Sequence, residues 1–301
     1  MRVLARPPAL DLALLGVAVS AISISGPLIV ATAAPALAIA FWRCAIGGGL
    51  TGLWVSVRNR QELFGLTRRQ FWLTVSAGLL LGGHFATWIP SLRLTTVASS
   101  TALIATQPIF AALIARARGV RIPIRAWVGI CVAIAGVVVL TGVDAGISTQ
   151  ALLGDLLSLI GAFLAAAYVS VAEHVRQQVS TATTTFVLYV SSGVLLLVLT
   201  LAFREPLTGY PAQAWVFILV LTLTAQLLGH TLFSRVLATT SATIVSMVIL
   251  LEAPLSTIIA AIFLNQVPPV TLIPAALLLF AGLVLVIGST TKATPTESSP
   301  I

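Results

Sequence analysis

Four ionisable side chains stand inside stretches that are otherwise apolar: Arg43, His84, His230 and Glu252. A charge in lipid is expensive, so such groups face a bundle interior or a wet cavity, and each is a candidate for function. Arg43 offers a planar, two-toothed donor suited to capturing a carboxylate; the other reading is a structural cation bonded to helix-end carbonyls. His84 and His230 suit proton relay or gating, or else are hydrogen-bonded packing residues. Glu252, two residues before Pro254, carries a coupling proton, is bonded to a neighbour, or pairs with Arg43; these readings stay open. Trp42, Trp88, Tyr168, Ser246 and Met247 complete a set able to line a cavity for an apolar or aromatic group. Trp88 falls one helical turn from His84, on the same face.

Other chemistries find no support. Cys44 and Cys131 fall within apolar stretches, which disfavours a disulfide framework or thiolate metal site, and His84, His174 and His230 lack metal-ligand spacing. Asp155, Glu173 and His174 are placed at helix ends, where water solvates them. No phosphate-binding glycine loop points to an ATP-driven pump. A membrane enzyme acting on lipids needs clustered acids with a metal, or a nucleophile and base, and the chain has one deep acid. A channel or scaffold is the other non-transport reading, but no polar helix face or filter is evident.

These residues are positioned by an internal repeat. Gly83-His84 recurs as Gly229-His230, 146 residues on; Pro108 recurs as Pro254, Pro123 as Pro269, Ala135-Gly136 as Ala281-Gly282 and Gly142 as Gly288. A weaker echo relates Asp11 and Gly16 to Asp155 and Gly161. Pro108 and Pro254 therefore mark kinks at equivalent places, either hinges or static packing features.

The medium follows from composition. Of 301 residues, 58% are hydrophobic and 8% charged, with mean hydropathy +1.09, which describes a chain solvated mostly by lipid. A helix needs about 20 apolar residues to cross the hydrocarbon. That length fits ten stretches, near 8–26, 36–56, 70–91, 95–116, 124–142, 151–174, 181–202, 213–234, 239–263 and 269–289. The first is read as a retained helix rather than a cleaved signal.

Basic residues gather in short cytoplasmic loops. With ten spans, Arg2, Arg6, Arg58, Arg60, Arg68, Arg69, Arg116, Arg118, Arg121, Arg125, Arg176, Arg235 and Lys292 share one side, against Arg93 and Arg204 on the other. Both termini are thus expected in the cytoplasm, and the net charge of +8 needs no nucleic-acid partner. An odd number of spans per copy inverts the second copy. The expected fold is an all-α integral membrane protein of ten transmembrane helices in two inverted five-helix repeats, 1–146 and 147–290, followed by a disordered tail, 291–301. Inverted repeats place a solute site near the midplane and alternate between two openings. Small-residue runs such as Gly47-Gly48-Gly49 and Gly129 to Gly136 permit close helix packing or a dimer face, so the chain is a monomer or homodimer.

The sequence resembles the drug/metabolite transporter superfamily with its paired EamA-type repeats. Phe41-Trp42-Arg43, Thr96-Val97-Ala98 running to Gln107-Pro108-Ile109-Phe110, Leu251-Glu252-Ala253-Pro254 and Ala281-Gly282-Leu283-Val284-Leu285 carry the likeness. Among subgroups it is most similar to the YddG-type amino acid exporters of bacterial inner membranes, through Gly83-His84-Phe85 and Trp88. It departs in the first span, where Ser20 to Ser25 stand in place of a common tryptophan. The resemblance implies a multi-pass transporter in the bacterial inner membrane that exports amino acids or related small metabolites. Cationic drugs and sugar phosphates are the alternative solutes. Proton coupling is one option, and no cofactor is implied.

Overall fold

The computed structural model describes residues 7–95, 97–141, 148–263 and 270–289. Arg2, Arg6, Thr96, Gly142, Pro269, Lys292 and the tail named above lie outside them. The described chain is almost wholly helical: α1 (Ala9–Ile22), α2 (Ser25–Ala31), α3 (Ala36–Arg58), α4 (Arg60–Phe64), α5 (Arg68–Ser91), α6 (Val97–Ile104), α7 (Gln107–Ala117), α8 (Ile124–Thr141), α9 (Thr149–Arg176), α10 (Thr181–Ala202), α11 (Ala212–Leu221), a π-helical segment (Thr222–His230), α12 (Thr231–Val236), α13 (Ala242–Ile249), α14 (Glu252–Phe263) and α15 (Leu272–Gly288).

Helix occupies all ten expected stretches, but among the described residues only seven runs are long and apolar enough to cross a membrane: Ala9–Ala31, Ala36–Arg58, Arg68–Ser91, Thr149–Arg176, Thr181–Ala202, Ala212–Val236 and Ala242–Phe263. Gln107–Ala117, Ile124–Gly136 and Ile273–Gly288 are shorter apolar helices. The stretch expected as one helix over 95–116 is divided into α6 and α7 at Ala105 and Thr106. Pro108 has no N–H to bond the carbonyl of Ile104, so it opens a new helix as the second residue of α7. The same defect recurs in the other repeat, where Leu250 and Leu251 separate α13 from α14 and Pro254 is its third residue. What the sequence suggests as kinks are local interruptions of the α-helical winding.

Equivalent helices of the two repeats pack against each other in antiparallel pairs. In the α8–α15 pair, a Cβ on Gly282 would lie 2.5 Å from the carbonyl oxygen of Gly129, and one on Gly136 would lie 2.9 Å from that of Ala275. Gly129 and Ala275 share the 146-residue offset, as do Gly136 and Gly282, so one contact is the image of the other. The α3–α10 pair closes similarly, with Gly47 and Gly48 against Tyr189 and Val190, and Gly193 against Cys44. Gly47 and Gly48 are therefore used inside the chain. Small residues permit this approach, and dispersion supplies the attraction that lipid cannot.

A carboxylate closes the free N-terminus of each member of the α3–α10 pair, at opposite ends. Glu205 accepts from the N–H groups of Leu37 and Ala38 at 3.0 and 3.3 Å. Glu62 accepts from the Ser180 N–H at 2.7 Å and from the hydroxyls of Ser180 and Thr183. Four orphan donors and the positive end of the dipole make these sites favourable for an anion. Burial pushes the Glu62 carboxyl up, but the hydrogen bonds from Ser180, Thr183 and Asn59 outweigh it and hold the group below its usual 4.5. Its stabilisation is therefore present above pH 4.5 and is lost as pH falls through the depressed folded value. Glu62→Gln should cost about 1 kcal/mol at neutral pH, the typical worth of a helix cap. Melting of the purified protein would show the difference from wild type shrinking on acidification; a pH-independent difference would refute a role for the ionised carboxyl.

Candidate functional site

The two helix breaks meet at the centre of the molecule. Gln107, first residue of α7, donates from Nε2 to Ser246 Oγ of α13 at 3.0 Å, joining the two broken helices through fully enclosed groups. Glu252 begins α14 beside them. Two small cavities of about 20 and 30 Å³ open here, and Trp88, Ile104, Gln107, Ile249 and Glu252 line both. Each has room for a water or two and no more.

An aromatic wall completes the centre. His84 and Trp88 of α5 stack at 5.6 Å with their planes 9° apart. His84 Nδ1 lies 3.0 Å from the carbonyl of Gly161, which α5 can approach because a Cβ there would stand 3.1 Å from Thr87 Oγ1. Tyr168 of α9 bonds through its hydroxyl to His230 Nδ1 at 3.2 Å, and the His230 ring meets Phe85 edge-on at 5.4 Å. His84 and His230, equivalent positions of the two repeats, both line the same 30 Å³ cavity with Tyr168. The Trp88 indole N–H is buried without an acceptor among the described residues.

Arg43 sits directly behind this wall. It is 0% exposed, and its guanidinium carbon lies 4.2 Å above the centre of the Phe85 ring. Arg43 Nε donates to Gln226 Oε1 at 2.9 Å, so its hydrogen-bonded partner is Gln226 rather than Glu252. Gln226 belongs to the π-helical segment, whose wider winding is a frequent device at functional sites. The Gln226 carbonyl accepts from the Tyr189 hydroxyl at 2.8 Å. Trp42 is elsewhere: its indole donates to the carbonyl of Leu207 at 2.8 Å and meets Trp215 edge-on at 5.1 Å. Met247 is fully buried and lines neither central cavity.

The two ends of the bundle differ. At the arginine-rich end a vestibule of about 610 Å³ is walled by Arg69, Arg118, Ser170, Glu173, His174 and Ser241. Thr239 and Thr240 of its lining donate to Asp11, the latter at 3.0 Å. At the opposite end Arg93 donates to the carbonyls of Thr32 and Ala34 at 3.0 and 2.7 Å. At the same end the Glu205 and Trp42 contacts tie the segment 203–211 across the head of α3. Asp155, expected to be solvated, lies in the second turn of α9 with Oδ1 enclosed and unpartnered among the described residues. Cys131 is exposed on α8, whereas Cys44 is buried. No group of three or more His, Cys, Asp or Glu able to hold a metal occurs among the described residues.

Gln107, Gln226 and Tyr189 are functional candidates the sequence reading did not select. Each is a polar side chain in an apolar stretch, the same signal that flagged His84 and Glu252. The π winding of 222–230 leaves no such mark.

Comparison with known proteins bears on this architecture. The model of the EamA-like transporter family matches twice, over residues 8–142 and 152–288. A solved chain described as "Crystal structure of protein" is similar at 18% identity, with a TM-score of 0.74 over 92% of this chain and 96% of its own. No curated protein matches by sequence.

Proposed function

The chain belongs to the EamA-like transporter family, whose members are membrane transporters of small solutes, and from that premise we propose that it exports amino acids, aromatic or otherwise neutral, or related small metabolites, by alternating access across a bacterial inner membrane. The observation that carries this reading is the meeting of two proline-broken helices over a closed aromatic and polar centre, with a large vestibule at the arginine-rich end. Irregular backbone at membrane depth is tolerated where it lines a cavity. The self-complementary antiparallel packing of α8 on α15 and of α3 on α10 supports ten spans in two inverted repeats.

With the arginine-rich end in the cytoplasm, the vestibule opens inward and the strap 203–211 closes the outside. Substrate enters past Arg118 and reaches a site formed by His84, Trp88 and Tyr168, with Ser246 of α13 on the adjoining wall. The free indole N–H of Trp88 is a ready donor to it. Pro108 and Pro254 mark the hinges, and His230, bonded to Tyr168, couples the π-helical segment to occupancy. Glu252, at the head of α14, carries the coupling proton. This machinery is contained in one copy of the chain, monomer or homodimer alike.

Counterflow in proteoliposomes tests the reading with a panel of neutral amino acids, sugar phosphates and cationic dyes. Saturable exchange of amino acids alone is expected. Exchange confined to dyes or sugar phosphates would move the chain to another substrate class, and no exchange of any solute would refute the transport reading.

A further inference from the structure

We infer that Arg43 is the receptor for the substrate's carboxylate, held in reserve behind Phe85 until substrate arrives. The inference deepens the proposed amino acid reading and rests on it. Arg43 is the largest fully buried side chain among the described residues. One donor, Nε, is used by Gln226, while Nη1 and Nη2 have no hydrogen-bond partner among the described residues. A buried cation with idle donors is costly, and a carboxylate satisfies it best, because the Nη1–Nη2 edge presents two parallel N–H groups at the spacing of two carboxylate oxygens. The edge that Gln226 leaves free is the one needed for that pairing.

One ring separates this edge from the substrate site. Phe85 covers the guanidinium on one face, while its ring centre lies 5.2 Å from that of His84 and 5.4 Å from that of His230, both on the cavity wall. The face of Phe85 holds the cation loosely in the empty site. When a substrate carboxylate replaces that face, Phe85 turns toward the cavity and packs on the substrate's side chain beside Trp88. Gln226 keeps Nε fixed throughout, so the π-helical segment orients the receptor. Lysine could not substitute, since its point charge neither stacks nor forks.

Binding to the purified full-length protein, read by tryptophan fluorescence and by thermal shift, tests this with L-phenylalanine, L-leucine and their carboxamides. Wild type should prefer each acid to its amide on the order of 10- to 100-fold, as expected for charge-assisted bonds. Arg43→Gln and Arg43→Lys should lower acid affinity to the amide level and leave amide affinity unchanged. Phe85→Leu, which uncovers the guanidinium and keeps an apolar filling, should raise acid affinity selectively. Wild-type binding of acid and amide with equal affinity, or equal loss of both in the Arg43 and Phe85 variants, would overturn the assignment. If amino acids exchange in vesicles but acids and amides bind alike, this inference alone fails; if no amino acid binds or exchanges, the amino acid reading fails with it.

Discussion

Glu252→Gln should abolish proton-driven accumulation while counterflow survives. Under an imposed gradient of one pH unit, one coupled proton is worth about 1.4 kcal/mol, so wild-type vesicles should concentrate substrate about tenfold. The variant should equilibrate to the bath concentration at any gradient. The substitution keeps the shape of the side chain, and Glu252 sits at the first turn of α14 on the wall of both central cavities. It therefore removes the titrating proton and leaves the break between α13 and α14 in place. Counterflow needs only the alternation of openings, so its persistence separates lost coupling from lost folding. Wild-type uptake indifferent to the gradient would instead mean facilitated diffusion, and the coupling role of Glu252 would be wrong.

The second large effect is expected at the α8–α15 crossing. Any side chain on Gly282 places Cβ 2.5 Å from a backbone oxygen and 2.7 Å from the Ala133 Cβ, and a backbone cannot turn aside as a side chain can. Gly282→Ala should cost about 1–3 kcal/mol, the usual range for overpacking. Gly282→Leu should fail to give a monodisperse protein in detergent. Gly129→Leu should fail in the same way from the other side of the contact. Gly49→Ala is the control: nothing lies within 4 Å of the added Cβ, and alanine is the better helix former. Its melting temperature should equal or exceed that of wild type. A Gly282→Leu protein as stable as the control would show that the two helices do not cross at these glycines.

A good part of this was legible before any coordinates. Composition settled the solvent, and the recurrence of Gly83-His84 and Pro108 at a constant offset announced a duplication, which the two family matches bear out. Proline at 108 and 254 marked where the helices falter, because a missing N–H acts locally and leaves its trace in the residue itself. Trp88, Tyr168 and Ser246 stand out as cavity candidates, His84 as a binding candidate and Glu252 as a coupling candidate, for a similarly local reason: polarity and aromatic bulk are costly or conspicuous in an apolar run.

What no reading of the chain in order could settle was which of these groups meet. Tryptophan 42 and tryptophan 88 look alike in sequence, yet one is tied to the loop carbonyl of Leu207 and the other stacks on His84 beside the cavity. Arg43 and Gln226 are 183 positions apart, and only the crossing of α3 with the π-helical segment makes them partners. That winding depends on a shift of one residue per turn in the hydrogen-bond ladder, from i→i+4 to i→i+5. The seal at one end and the vestibule at the other are likewise products of assembly. Sequence determined which groups must be hidden from lipid, because transfer free energy belongs to each residue; tertiary structure decided whom they face, because contact depends on where distant helices cross.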